Sequence, residues 1–121
     1  MKMNEKQAIN SFAALAQETR LRIVRLLVKA GPNGLAAGSV GEAVGASSSN
    51  VSFHLSQLEQ AGLIRSRREA RSIIYTANYP ELSGLIQFLM RDCCQGHPEV
   101  CAPAATALAS CCKPRRKAAH A

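Results

Sequence analysis

Tryptophan is absent from this chain, and only two tyrosines and three phenylalanines are present. Its 121 residues are one domain's worth, so the core must be assembled largely from Leu, Ile, Val and Ala. Long apolar runs are missing too. No stretch approaches the roughly 20 apolar residues that span a bilayer, and no N-terminal segment has the apolar run of a signal peptide. The expectation is a cytoplasmic protein with no membrane partner. Also missing are a paired acid–base site, a phosphate-binding glycine loop and an activated nucleophile, which argues against an enzyme and against an organic cofactor. Acidic residues are scarce, eight against fifteen Lys and Arg, leaving a net charge of +7. That balance favours a polyanion such as nucleic acid.

What is present is organised. Apolar positions at Ile9, Phe12, Leu15 and Ala16 predict a helix over residues 5–17. Thr19 is a candidate cap for a second helix carrying Leu21, Val24, Leu27 and Val28, which stops at Gly31-Pro32. A Gly/Ala-rich connection leads to a short helix over Ser39–Val44, ended by Gly45. Ser47 then opens a stronger helix with Val51, Leu55, Leu58 and Ala61 on one side and Ser49, Ser52, Phe53, Ser56 and Gln60 on the other; Gly62 ends it. Two short helices joined by a tight turn, the second with a small-polar outer face, form the helix-turn-helix pattern.

After Gly62 the period changes. Leu63–Arg68 and Ser72–Ala77 read as two strands of a hairpin joined by Glu69-Ala70-Arg71. Pro80 suits the first turn of a last helix, where Leu82, Leu85, Ile86, Leu89, Met90 and Cys93 follow a helical series. The fold expected is mainly α with a two-stranded β-wing, in the order α-α-α-α-β-β-α. First and last helices that are apolar along one whole side need covering, which a homodimer through the terminal helices provides. Residues 1–95 form the DNA-binding and dimerisation domain in this reading. Residues 96–121 form a cysteine-containing basic tail, with a helical turn or two around Ala104–Ser110.

Five cysteines in a reducing compartment point to thiols, metal ligands or redox sensors rather than a disulfide framework. Cys93 and Cys94 are adjacent, and Cys101 follows across a segment containing Gly96 and Pro98. Adjacent helical residues point about 100° apart, so joint ligation requires the last helix to end there. Three soft thiols suit a thiophilic, three-coordinate ion such as As(III) or Sb(III). Cys93 lies on the apolar stripe and also fits a packing role; Cys94 lies off it. With His97 the trio would instead make a closed Cys₃His zinc site, and oxidation of two thiols would make a redox switch. Cys111-Cys112 repeats the pair in the tail and is left outside the site.

The DNA face expected from sequence comprises Ser48, Ser49, Ser52 and Phe53 at the major groove, with Ser47 as helix cap. Phe53 suits either a thymine methyl or packing within the protein. His54, beside the apolar stripe, suits a structural or phosphate contact. Arg65, Arg67, Arg68 and Arg71 on the wing suit phosphates or the minor groove. Two such modules in a dimer imply half-sites roughly 34–36 Å apart.

Four stretches in this order, Thr19-Arg20-Leu21-Arg22-Ile23, Ser49-Asn50-Val51-Ser52-Phe53-His54-Leu55, Leu58-Glu59-Gln60-Ala61-Gly62-Leu63 and Arg68-Glu69-Ala70-Arg71 before Tyr75, resemble the ArsR/SmtB family of winged-helix repressors. The resemblance covers roughly residues 8–94. It implies a homodimer that binds an inverted-repeat operator in double-stranded DNA and is released by a metal or metalloid ion. Many arsenic repressors of the family carry Cys-x-Cys on the first helix of the helix-turn-helix, where this chain reads Gly38-Ser39-Val40-Gly41-Glu42-Ala43-Val44. The family's zinc sensors place His and carboxylate ligands along the last helix, which here has no histidine from Pro80 to Arg91. Cys93, Cys94 and Cys101 then resemble the arsenic site at the end of the last helix in one branch. The function expected is an As(III)-responsive transcriptional repressor. The competing class is a constitutive architectural module whose cysteines carry no regulation. The family usually has glycine where Ala70 stands, so a looser wing turn is expected.

Overall fold

Asn4 starts the first helix for a purely local reason. Its Oδ1 accepts from the Gln7 backbone N–H at 2.8 Å, while Gln7 Oε1 accepts from the Asn4 N–H at 2.9 Å, a reciprocal capping box. The computed structural model describes residues 3–90 and residue 103. Its elements are α1 (Glu5–Leu15), α2 (Glu18–Ala30), β1 (Leu35–Ala36), α3 (Ala37–Val44), α4 (Ser48–Gln60), β2 (Ile64–Glu69), β3 (Ser72–Ala77) and α5 (Tyr79–Met90). The chain divides into two units, Met1–Phe88 and Leu89–Ala121. None of the helices among the described residues is long and apolar enough to cross a membrane.

α2 supplies the centre of the core. Ile23 and Leu27 are fully buried and Val24 nearly so, packed with Val40 of α3, with Val51, Leu55 and Leu58 of α4, and with Leu63, Ile64 and Ala77 around the sheet. Full burial of each large aliphatic side chain contributes about 1.5–3 kcal/mol. A second cluster, Met3, Ala8 and Leu85, joins α1 to α5. α1 therefore turns Ala8 and Ser11 inward, while Ile9 and Phe12 of the expected apolar stripe face outward.

Three expectations are revised. The cap of α2 is Gln17, not Thr19: Gln17 Oε1 accepts from the Arg20 N–H at 2.8 Å, and Thr19 lies inside the helix. The sheet has three strands in the order β1-β3-β2, because Leu35 and Ala36 pair antiparallel with Tyr75 and Ile74. Two residues carry too little alternation to register as a strand in the sequence; tertiary pairing makes them one.

The third revision is the wing turn. β2 pairs with β3 through Glu69↔Ser72, so the loop is only Ala70-Arg71, and Ala70 adopts φ 55°. Six cross-strand pairs outweigh the local preference of one alanine. A left-handed L-residue costs roughly 1–2 kcal/mol. Ala70→Gly removes that strain but adds unfolded-state freedom worth about 0.4–1 kcal/mol. A net gain of up to about 1.6 kcal/mol is expected, read as a higher urea midpoint. A lower midpoint would mean the turn is not strained.

Candidate nucleic-acid interface

The α3–α4 unit turns tightly because one glycine supplies a left-handed backbone and another leaves room for close packing. Gly45 takes the left-handed conformation at φ 70° and donates its N–H to the Gly41 carbonyl at 2.9 Å, while Ala46 donates to the same oxygen at 3.1 Å. A Cβ on buried Gly41 would sit 3.2 Å from Val51 Cγ2, so the absent side chain lets α3 lie close on α4. Ser47 then caps α4, its Oγ accepting from the Asn50 N–H at 3.3 Å, as the sequence indicates.

Core packing fixes which face of α4 points outward. Val51, Leu55 and Leu58 are buried, which leaves Ser48, Ser49, Ser52 and Phe53 exposed. Phe53 is 58 % exposed and is not among the core residues; its ring lies edge-to-face with that of His54, at 5.6 Å between centroids. The N-terminal turns of α4 thus present small hydroxyls and one aromatic ring at the positive end of the helix dipole.

His54 has a different position from its neighbours. It is half-buried, and its Nδ1 lies 3.4 Å from Arg20 Nη1. A guanidinium only donates, so Nδ1 is the acceptor in this contact. Arg20 Nε also donates to the Ala14 carbonyl at 2.7 Å, so one side chain joins the end of α1, α2 and the recognition helix. Arg20 stands in the family-like motif at residues 19–23, yet periodicity assigns it no role. Its reach across 34 residues to His54 is a tertiary fact.

The four wing arginines separate into three positions. Arg68 and Arg71 are exposed at the tip, and neither makes an ion pair or side-chain hydrogen bond among the described residues. Arg67 is occupied. It bonds Glu69 Oε2 at 2.8 Å and donates to the carbonyls of Asn33 at 2.9 Å and Pro32 at 3.4 Å, tying the wing to the turn after α2. Arg65, at the base of the wing, lines a cleft with residues of α1 and α5. The four wing arginines are therefore not equivalent in the structure.

The wing base is fastened to α4. Ser66 Oγ donates to Glu59 Oε2 at 2.7 Å, and Asn78 Nδ2 donates to the Gly62 carbonyl at 2.7 Å. The hydroxyl of Tyr75, on wing strand β3, is pushed above the usual phenol range, mainly by burial and secondarily by the Glu59 carboxylate. Recognition helix and wing are thus held in one geometry. Arg22, Arg25 and Lys29, which no apolar periodicity singles out, form an exposed basic row on α2 beside Ala43 and Val44 of α3. Glu18 takes up Arg22 at 2.6 Å.

The sequence-indicated sensor residues Cys93, Cys94 and Cys101, together with His97, Cys111 and Cys112, lie outside the described residues. Among the described residues no three His, Cys, Asp or Glu side chains converge in a way that would hold a metal ion.

A capped helix exposing its N-terminal turns, crossed by a short helix and flanked by an arginine-tipped hairpin, defines a winged helix-turn-helix DNA-binding protein. A helix-turn-helix domain family matches residues 15–67. The transcriptional activator HlyU of Vibrio cholerae is 33% identical over 97 residues, covering 80% of this chain and 87% of HlyU. Its solved structure superposes with a TM-score of 0.61 over 78% of this chain and 99% of that one. An ArsR-like transcriptional regulator from Rhodococcus sp. RHA1 gives a TM-score of 0.63 at 25% identity, covering 91% and 96% of the two chains. The arsenic resistance transcriptional regulator ArsR1 of Pseudomonas putida is 29% identical over 98 residues, 81% of this chain and 74% of ArsR1. The chain belongs to the ArsR/SmtB family of winged-helix transcriptional regulators. It is a regulator of transcription and not an enzyme.

Proposed function

We propose that the protein is a homodimeric repressor that occupies an operator in double-stranded DNA and leaves it when As(III) or Sb(III) binds Cys93, Cys94 and Cys101. The DNA-binding half of this reading is carried by the outward face of α4. Ser48, Ser49, Ser52 and Phe53 read base edges in the major groove, and His54, Arg68 and Arg71 meet the backbone. Arg67 supports the wing from behind.

The arsenic half rests on the donor set and on elimination. α3, at Ala37–Val44, contains no cysteine, and α5 contains no histidine over Tyr79–Met90. The chain then runs directly into Asp92-Cys93-Cys94. Three thiolates satisfy a soft, three-coordinate metalloid without help from oxygen ligands. A relative that is an arsenic resistance transcriptional regulator supports the same signal, while the relationship to HlyU, a transcriptional activator, supports control of transcription without naming an inducer.

Release requires a coupling of only about 1–3 kcal/mol, a 5–150-fold loss of operator affinity. The test is fluorescence anisotropy on a duplex that the protein itself selects from a random library, titrated with arsenite. Wild type is expected to release the duplex, and Cys94→Ser to stay bound at the same arsenite concentration. Release that survives Cys94→Ser would remove Cys94 from the site. One tightly held zinc per chain in freshly purified protein points to the Cys₃His alternative. Release by a mild oxidant, reversed by dithiothreitol and without a response to arsenite, points to a thiol switch.

A further inference from the structure

The base of the wing, the first turns of α1 and the start of α5 border a polar cleft. One lobe, of about 220 Å³, is lined by Arg65 of β2, Glu81 of α5, Gln7 of α1 and Asn78. A neighbouring lobe of about 310 Å³ shares Gln7 and Glu81 and adds Asn10 and Gln60. Opposite charges that line one small space ordinarily pair. Here they do not: among the described residues neither Arg65 nor Glu81 makes an ion pair or a side-chain hydrogen bond.

Packing explains where Glu81 is held. Its carboxyl carbon lies 3.6 Å from the point a Cβ on Gly62 would occupy, so the side chain lies over the end of α4 where a glycine leaves room. Its backbone N–H meets Asn78 Oδ1 at 3.4 Å, and Asn78 Nδ2 is taken by the Gly62 carbonyl. The carboxylate itself is left for the cleft. Gln7 uses its Oε1 on the Asn4 N–H, which leaves the amide NH₂ available. Arg65 offers a planar fork of donors suited to a carboxylate.

This charge pattern selects its ligand class by exclusion. A phosphate or other polyanion is opposed by Glu81, and a divalent cation finds one carboxylate and a repelling guanidinium. A molecule carrying both charges a few atoms apart satisfies both groups at once. The volumes fall at or below the lower end of the usual ligand-pocket range of about 300–1,000 Å³, so the molecule is small. The surrounding amides favour a polar side chain.

We propose that this cleft binds a small zwitterion of the α-amino-acid class, its carboxylate on Arg65 and its ammonium on Glu81. The occupied site would link α1, the wing base and α5. It is a second ligand site, independent of the cysteines and of the operator.

The test is isothermal titration of the full-length protein, without DNA, with L-glutamine as probe. L-glutaminamide, which lacks the carboxylate, and N-acetyl-L-glutamine, which lacks the ammonium, keep the side chain and are the controls. Saturable L-glutamine binding is expected, with each control weaker by roughly tenfold or more, the usual scale for one lost charge-assisted contact. Arg65→Gln and Glu81→Gln, which keep side-chain size, are expected to weaken L-glutamine binding by a similar factor. No saturable heat up to about 10 mM, a free energy too small for a built site, overturns the proposal. So do controls that match L-glutamine, or substituted proteins that bind it like wild type. If a substituted protein fails to fold, the two control compounds on wild type still decide the matter.

Discussion

Gly34→Ala is expected to destabilise the protein by about 2–5 kcal/mol, the sum of a left-handed backbone penalty of roughly 1–2 kcal/mol and an overpacking cost of about 1–3 kcal/mol. Gly34 has φ 70° and closes the turn after α2, its N–H donating to the Gly31 carbonyl at 3.1 Å. A Cβ there would stand 2.4 Å from the Tyr75 carbonyl oxygen, 2.6 Å from Thr76 Cγ2 and 2.9 Å from Ile74 Cγ2. The nearest of these is backbone inside the β1–β3 pairing, so no side-chain rotation relieves the contact. Against a typical total stability of about 5–15 kcal/mol, that is a large fraction. Urea unfolding measures it, with Gly38→Ala as comparison: a Cβ at Gly38 meets nothing within 4 Å, and the position lies inside α3. There helix propensity favours alanine by roughly 0.8–1 kcal/mol. Equal midpoints for the two variants would show that β1 is not seated on β3 as described.

Ile86→Glu is expected to yield a folded monomer whose operator affinity is lower by about 10²–10⁴, the range lost when two linked half-site contacts become one. α1 and α5 meet through Ala8 and Leu85, and on their outer sides Ile9 is 59 % exposed, Phe12 38 % and Ile86 42 %. These side chains belong to the apolar stripes that an isolated chain leaves in water, which a two-fold axis would cover with identical stripes. A carboxylate at position 86 would be placed twice at such an interface, at the high cost of burying an unpaired charge. The core around Ile23, Leu27 and Leu58 is untouched, so melting of the monomer should remain cooperative. Sedimentation equilibrium reads the assembly and anisotropy reads the affinity. A dimer that persists in Ile86→Glu would place the two-fold contact elsewhere.

Much of the architecture was legible because it is written in short range. The apolar spacing of Val51, Leu55 and Leu58 is one face of a helix whatever surrounds it, and Ser47 caps that helix through an atom three residues away. Gly45 and Gly62 ended their helices where the sequence placed the stops. The outward set Ser48, Ser49, Ser52 and Phe53 followed from the same periodicity, since fixing the buried side of a helix fixes the other.

Side-chain destinations were not legible in this way. Four wing arginines look alike in the sequence, yet Arg67 closes on Pro32 and Asn33, Arg65 lines a cleft beside α5, and only Arg68 and Arg71 extend freely from the tip. Strand alternation tells which face a residue takes, but the loop or helix waiting on that face comes from distant chain. The same holds for Ala70, forced to φ 55° by the strand pairing on both sides of it. Arg20 shows the difference most simply: its helix was expected, whereas its bonds to Ala14 and His54 required three helices to meet. The sequence by itself determined the order of the helices and of the hairpin strands, the outward face of α4 and the supply of thiols, because periodicity, capping and residue type are local properties. Only the tertiary structure decided which arginines are free, that Gly34 must remain glycine, and that Arg65 and Glu81 border one space. Those are matters of close approach between segments far apart in the chain.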